Sequence, residues 1–164
     1  MPLASGNTWT YQAGIVYTMN GPVGAGGQTT YGYQGGCQER EFYYKDASQD
    51  LYSIGQNPTG GLTPSTLYPS PELILKGAMV NGDHWQNNLG FTTEFVSVAG
   101  PVNVTINGAA TPGWTLTYTD TQAGSTPNVI TYVANIGAVQ VTDYCVSPSA
   151  QRTLTGDTIS PTSS

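Results

Sequence analysis

A four-residue pattern that occurs twice constrains this chain more than any other feature. Gly6-Asn7-Thr8-Trp9 stands near the start, and Gly82-Asp83-His84-Trp85 opens the second half. Glycine followed by a short polar residue favours a turn, and the tryptophan after it starts a strand with a large apolar anchor. A hairpin-like stretch follows each copy. The first runs from Phe42-Tyr43-Tyr44-Lys45-Asp46 to Leu51-Tyr52-Ser53-Ile54-Gly55, and the second from Ile130-Thr131-Tyr132-Val133 to Ala138-Val139-Gln140-Val141. The repetition predicts two related β-halves, with Trp9, Trp85 and, further on, Trp114 as structural anchors.

The rest of the chain agrees with β-structure. Thr8 to Gln12 alternates polar and aromatic residues, and Ile15 to Met19 continues or pairs with it. Asn20-Gly21-Pro22 reads as a turn. Val102, Val104 and Ile106 alternate with Asn103, Thr105 and Asn107, and Trp114, Leu116 and Tyr118 alternate with threonines. One face is apolar and the other wet, as in an antiparallel sheet. No stretch keeps a 3.6-residue period, so helix is not expected. The predicted fold is all-β and antiparallel, either a β-sandwich or a curved open barrel, over residues 1–146. Its halves span about 1–57 and 72–146. Residues 58–71, with Pro58, Pro64, Pro69 and Pro71, read as an irregular connection, because proline cannot donate to a ladder. Residues 147–164 are rich in Ser, Thr and Pro and read as a tail or a linker.

Charge narrows the function. Charged residues make up 9% of the chain, against roughly 25% in soluble domains, and the net charge is −6. The four basic residues, Arg40, Lys45, Lys76 and Arg152, are scattered, so no patch for nucleic acid or an anionic membrane is expected. No apolar run is long enough for a transmembrane helix. The composition suits an extracellular, periplasmic or cell-surface protein whose signal peptide is absent from this sequence. In that setting Cys37 and Cys145 read as a disulfide.

One set of residues carries a resemblance. Pro2-Leu3-Ala4-Ser5-Gly6-Asn7-Thr8-Trp9-Thr10-Tyr11 resembles the Pro-Leu-x-x-Gly-Asn-x-Trp-x-Tyr opening of a broad group of uncharacterised secreted bacterial β-proteins and lipoproteins. The likeness continues through Phe42 to Asp46, Leu51 to Gly55, the second Gly-Asp-x-Trp, Val102 to Ile106 and Tyr132 to Val139, and so covers residues 2–145. It implies a curved, partly open antiparallel sheet like those of periplasmic lipoproteins. It implies no activity, since the group has none agreed. The cysteine pair and the weakly charged final hairpin depart from the group.

Candidate chemistry is sparse. Glu39 and Glu41 share one strand face, roughly 7 Å apart by the strand rise, and read as a solvated pair. His84, the sole histidine, has no serine elbow to serve and should point outward. Asp46-Ala47-Ser48-Gln49-Asp50 lacks the glycine and the bidentate acid of a calcium loop, and reads as a polar hairpin turn. No metal, cofactor or catalytic residue is expected. Eleven tyrosines on a nearly uncharged chain are the usable signal, because a phenol ring is apolar and its hydroxyl tolerates water. Tyr31, Tyr33, Tyr43, Tyr44 and Tyr52 are therefore the candidate ligand-binding residues. The expected function is a non-enzymatic binding module for carbohydrate or another neutral polymer. The alternatives are a self-associating fibre subunit, built by strand addition from residues 152–159, and a carrier of an apolar ligand.

Overall fold

The computed structural model describes residues 1–35, 39–90, 92–106, 108–122, 126–143 and 149–159. Twelve strands follow one another: β1 (Thr8–Tyr11), β2 (Ile15–Ala25), β3 (Gln28–Gln34), β4 (Arg40–Lys45), β5 (Leu51–Asn57), β6 (Thr66–Leu75), β7 (His84–Asn88), β8 (Thr93–Ile106), β9 (Ala109–Asp120), β10 (Asn128–Val133), β11 (Gly137–Asp143) and β12 (Ala150–Thr158). The sheet is antiparallel throughout, in the order β6-β5-β4-β3-β2-β1-β12-β11-β10-β9-β8-β7. It curls into a nearly closed barrel whose one unladdered junction lies between β6 and β7. Of the two expected architectures, the curved open barrel is the one formed.

The repeat is visible in the backbone. Gly6 N and Gly82 N donate to Met19 O and Val98 O, while Met19 N and Val98 N donate back to Asn7 O and Asp83 O. Each half's second strand then bulges at a Gly-Pro step, between Asn20 and Val23 in β2 and between Ala99 and Val102 in β8. Gly21 and Gly100 take φ of +139° and +143° there, a region that side-chain-bearing residues avoid. Asn20-Gly21-Pro22 is thus a bulge inside a long strand, not the expected turn. The bulges bend both long hairpins over the outer face. The β2–β3 tip covers Ile54, which a Cβ at Gly26 would meet at 3.3 Å. The β8–β9 tip shares a groove with Val139 and Leu154.

Side-chain alternation fills the inside. Trp9, Tyr11, Met19, Tyr43, Val96, Val98, Leu116, Tyr118 and Tyr132 form one buried cluster. Trp9 is wholly buried and its indole N–H donates to Ile136 O at 2.6 Å. Trp85 and Trp114 are partly buried against the same cluster.

Two boundaries differ from the sequence expectation. The proline-rich connection ends early, because β6 begins at Thr66 and carries Pro69 and Pro71. Its ladder to β5 skips from Leu67 to Glu72, so neither proline is asked for an N–H. The polar tail contains β12, which pairs with β11 on one side and β1 on the other. The weakly alternating segment 152–159, read above as a strand for addition to a neighbour, pairs here within its own chain, burying little and held by backbone bonds. Both edges of β12 are thus laddered within its own chain.

Candidate binding chamber

The inner face of the first half is built from tyrosines. Register places Tyr31 opposite Tyr43 and Tyr33 opposite Glu41 on adjoining strands, so all four point inward. Tyr33 is the hub of an aromatic chain, with ring centroids 5.4 Å from Trp9, 5.1 Å from Tyr17 and 5.9 Å from Tyr43. Tyr44 and Tyr52 alternate to the outer face, where they stack on each other at 5.3 Å. The five candidate tyrosines therefore divide into an inner three and an outer two.

Inside the barrel lies a cavity of about 260 Å³, bordered by Tyr33, Tyr43, Tyr132, Ile74, Ile130 and Val141. Glu39 and Glu41 line it as well. Glu39 is exposed at the rim, as expected of a solvated acid, whereas Glu41 departs from the expectation: β4 turns it inward and half-buries it. Tyr43 Oη donates to Glu41 Oε2. A second cavity of about 580 Å³ opens toward the other end, past Lys45, Trp114 and Asn135, and shares Tyr132 and Leu51 with the first.

Two more carboxyls approach Glu41 from strands remote in sequence. Glu72 on β6 bonds to Glu94 on β8, and Glu94 Oε1 also accepts from Asn87 Nδ2 at 3.2 Å. Burial raises the pKa of all three acids; repulsion from neighbouring glutamates raises Glu41 and Glu72 further, while for Glu94 the hydrogen bonds from Asn87 and Glu72 oppose the rise. Glu72 is pushed up to about 10, so it holds its proton at neutral pH and donates to Glu94. No lysine or arginine contributes to the field at these groups. Burial likewise lifts Tyr33, Tyr43, Tyr118 and Tyr132 above the ordinary phenol range, so all stay neutral. Tyr118 Oη donates to Ile74 O at 2.8 Å. The chamber offers apolar surface with neutral phenol hydroxyls and, at Glu41, a carboxyl whose pKa burial raises.

The remaining candidates lie elsewhere. His84 is exposed at the start of β7. Asp46 caps its own turn, with Oδ1 accepting from Ser48 N at 2.9 Å and Asp50 N at 3.0 Å. Among the described residues no three His, Cys, Asp or Glu side chains are grouped to hold a metal ion, and no helix is long and apolar enough to cross a membrane. Cys37 and Cys145 lie outside the described residues. No known family model, curated protein or solved structure matches this chain. What the chamber does must be argued from its own geometry.

Sequence reading passed over Glu72, Glu94, Asn87, Tyr118 and Tyr132. The repeat held one usable signal. Tyr132 faces Trp114 across β9–β10 as Tyr43 faces Tyr31 across β3–β4, so an inward Tyr43 implies an inward Tyr132. For Glu72 and Glu94 no local pattern exists, because only the curl of the sheet brings β6 to β8.

Proposed function

We propose that this protein is a non-enzymatic binding barrel that takes a neutral, largely apolar molecule with a hydrogen-bonding group into its inner chamber. The observation that carries this reading is the cavity between Tyr33, Tyr43 and Tyr132, lined mostly by rings and aliphatic side chains, with Glu41, whose carboxyl pKa burial raises, in its wall. Pockets for small molecules are mostly apolar with a few placed polar groups. Neither lysine nor arginine lines this cavity, so an anion finds no basic side chain to pair with there. Against catalysis, Glu72 and Glu94 touch each other, whereas paired glycosidase carboxyls stand about 5–9 Å apart with the sugar between them. The setting expected from the composition and from the secreted β-proteins it resembles, outside the cytoplasm, suits a carrier.

Neutral polymer binding survives as a second reading on one observation, the outward Tyr44–Tyr52 stack, which could lie along a sugar ring. One experiment separates the two. N-phenyl-1-naphthylamine, neutral at pH 7, is titrated into the protein at low and high salt, and soluble glucans are titrated in parallel. The chamber reading expects saturable fluorescence enhancement that is insensitive to salt, since screening acts on charge. Ile130→Trp, which fills the cavity, should weaken it at least about tenfold, or about 1.4 kcal/mol. Tyr52→Ala should leave it unchanged. Absence of enhancement, together with glucan binding lost in Tyr52→Ala, would transfer the function to the outer face.

A further inference from the structure

We propose that the β6–β7 junction is a lateral gate, closed by a side-chain latch, through which the chamber exchanges its contents. This rests on the chamber reading above. The pseudo-symmetry of the halves makes β6–β7 the counterpart of β12–β1. At β12–β1 the main chains are laddered from Thr8 opposite Thr158 to Tyr11 opposite Leu154. At β6–β7 no ladder forms, although the two strands are joined by a short loop and lie side by side.

What holds this junction is carried by side chains. Trp85 Nε1 donates to Leu73 O at 2.8 Å. Asn87 mimics a strand: its Nδ2 donates to Leu73 O at 3.1 Å and its Oδ1 accepts from Leu73 N at 3.0 Å. Ser70 Oγ reaches Asn88 O at 3.4 Å. Behind them the Glu72–Glu94 contact bridges the same gap from inside. At one end Pro69 rests on Gly90, where a Cβ would come within 2.9 Å.

The arrangement suits a movable wall. Ile74 of β6 borders the inner cavity, so displacement of β6 opens that cavity sideways. The prolines at 69 and 71 cannot supply the N–H groups that a continuous ladder would use, which keeps the junction from zipping shut. Side-chain bonds can part and re-form without unravelling either strand's remaining ladder, to β5 or to β8. Local openings of this kind are drawn from the least stable part of a fold.

The test has two arms. In the first, native-state amide exchange is followed by NMR on the unaltered protein without ligand. The Leu73 amide, bonded to Asn87 Oδ1, should exchange at least about a hundredfold faster than laddered amides of β1 and β12. Equal protection overturns the gate. In the second, stopped-flow fluorescence follows N-phenyl-1-naphthylamine with the unaltered protein and with the Trp85→Phe/Asn87→Ala variant. The latch predicts that association and dissociation both accelerate, each at least about tenfold, while Kd moves less than about threefold. Unchanged rates in a folded variant overturn the gate. A naphthylamine that fails to bind overturns the chamber reading, and the exchange arm then judges the gate by itself. Should the double variant not fold, Asn87→Ala alone serves in its place.

Discussion

Trp9→Ala should lower the melting temperature by roughly 10–15 °C, and Trp85→Ala by clearly less. The two residues hold equivalent places in the repeat, so the difference isolates burial. Trp9 is fully enclosed and its indole N–H is satisfied by Ile136 O. Truncating such a side chain costs about 3–5 kcal/mol, through lost apolar contact and the cavity left behind. At this chain length each kcal/mol moves the midpoint by about 2–4 °C. The Ile136 carbonyl also loses its donor. Trp85 is only partly buried, under Lys76, whose ammonium sits 5.4 Å from the ring centroid. Its loss should show instead at the β6–β7 junction. Thermal denaturation by circular dichroism measures both. Equal losses would mean that Trp85 carries as much of the core as Trp9.

The second large effect is a stability that falls as pH rises through the neutral range. Most proteins are destabilised by acid, because their carboxylates are paired in the folded state. Here the folded state raises the carboxyl pKa values. In the unfolded chain Glu72 ionises near 4.5, and in the barrel near 10. Below 4.5 both states hold the proton and nothing is lost. Between these values the unfolded state is ionised and the folded state is not, so each pH unit costs about 1.4 kcal/mol for one such group. At pH 7 Glu72 alone removes about 3 kcal/mol relative to acid conditions. Glu41 and Glu94, also raised, act in the same direction. Melting temperature should therefore be higher at pH 4 than at pH 8. Glu72→Gln keeps a donor for Glu94 and cannot ionise, so it should raise the midpoint at pH 8, leave it nearly unchanged at pH 4 and flatten the slope between. A midpoint that climbs from pH 4 to pH 8 in the unaltered protein would contradict the buried, uncompensated acids.

These residues also show how far the sequence could be read. The alternation of Val102 to Ile106 and of Trp114 to Tyr118 gave strands, and the repeated Gly-x-x-Trp gave two halves, because both signals are local. The inward place of Tyr33 and Tyr43 was within reach by the same parity. Glu41 shares the parity of Tyr43, but a carboxyl pair reads as a wet face unless the tyrosines beside it are first recognised as a chamber wall. Glu72 follows Pro71 in a segment whose prolines argue against a strand, and its partner Glu94 belongs to the other half. The weak alternation of 152–159 marks a strand but does not say that its second partner is β1. Each of these depends on curvature, which accumulates over many strands and leaves no mark in a short window.

The place of β12 has a consequence for how the barrel comes into being. Thr155 Oγ1 bonds to Thr10 O across 145 residues, so the junction that closes the ring joins nearly the first strand made to the last. At a synthesis rate of about 5–20 residues per second, β1 waits roughly 7–30 s with one edge bare. During that interval the nascent chain exposes a row of unpaired backbone groups that any other extended segment could occupy. Helpers that shield strand edges, or export in an unfolded state, would matter more to this protein than to one whose neighbours in space are all neighbours in sequence.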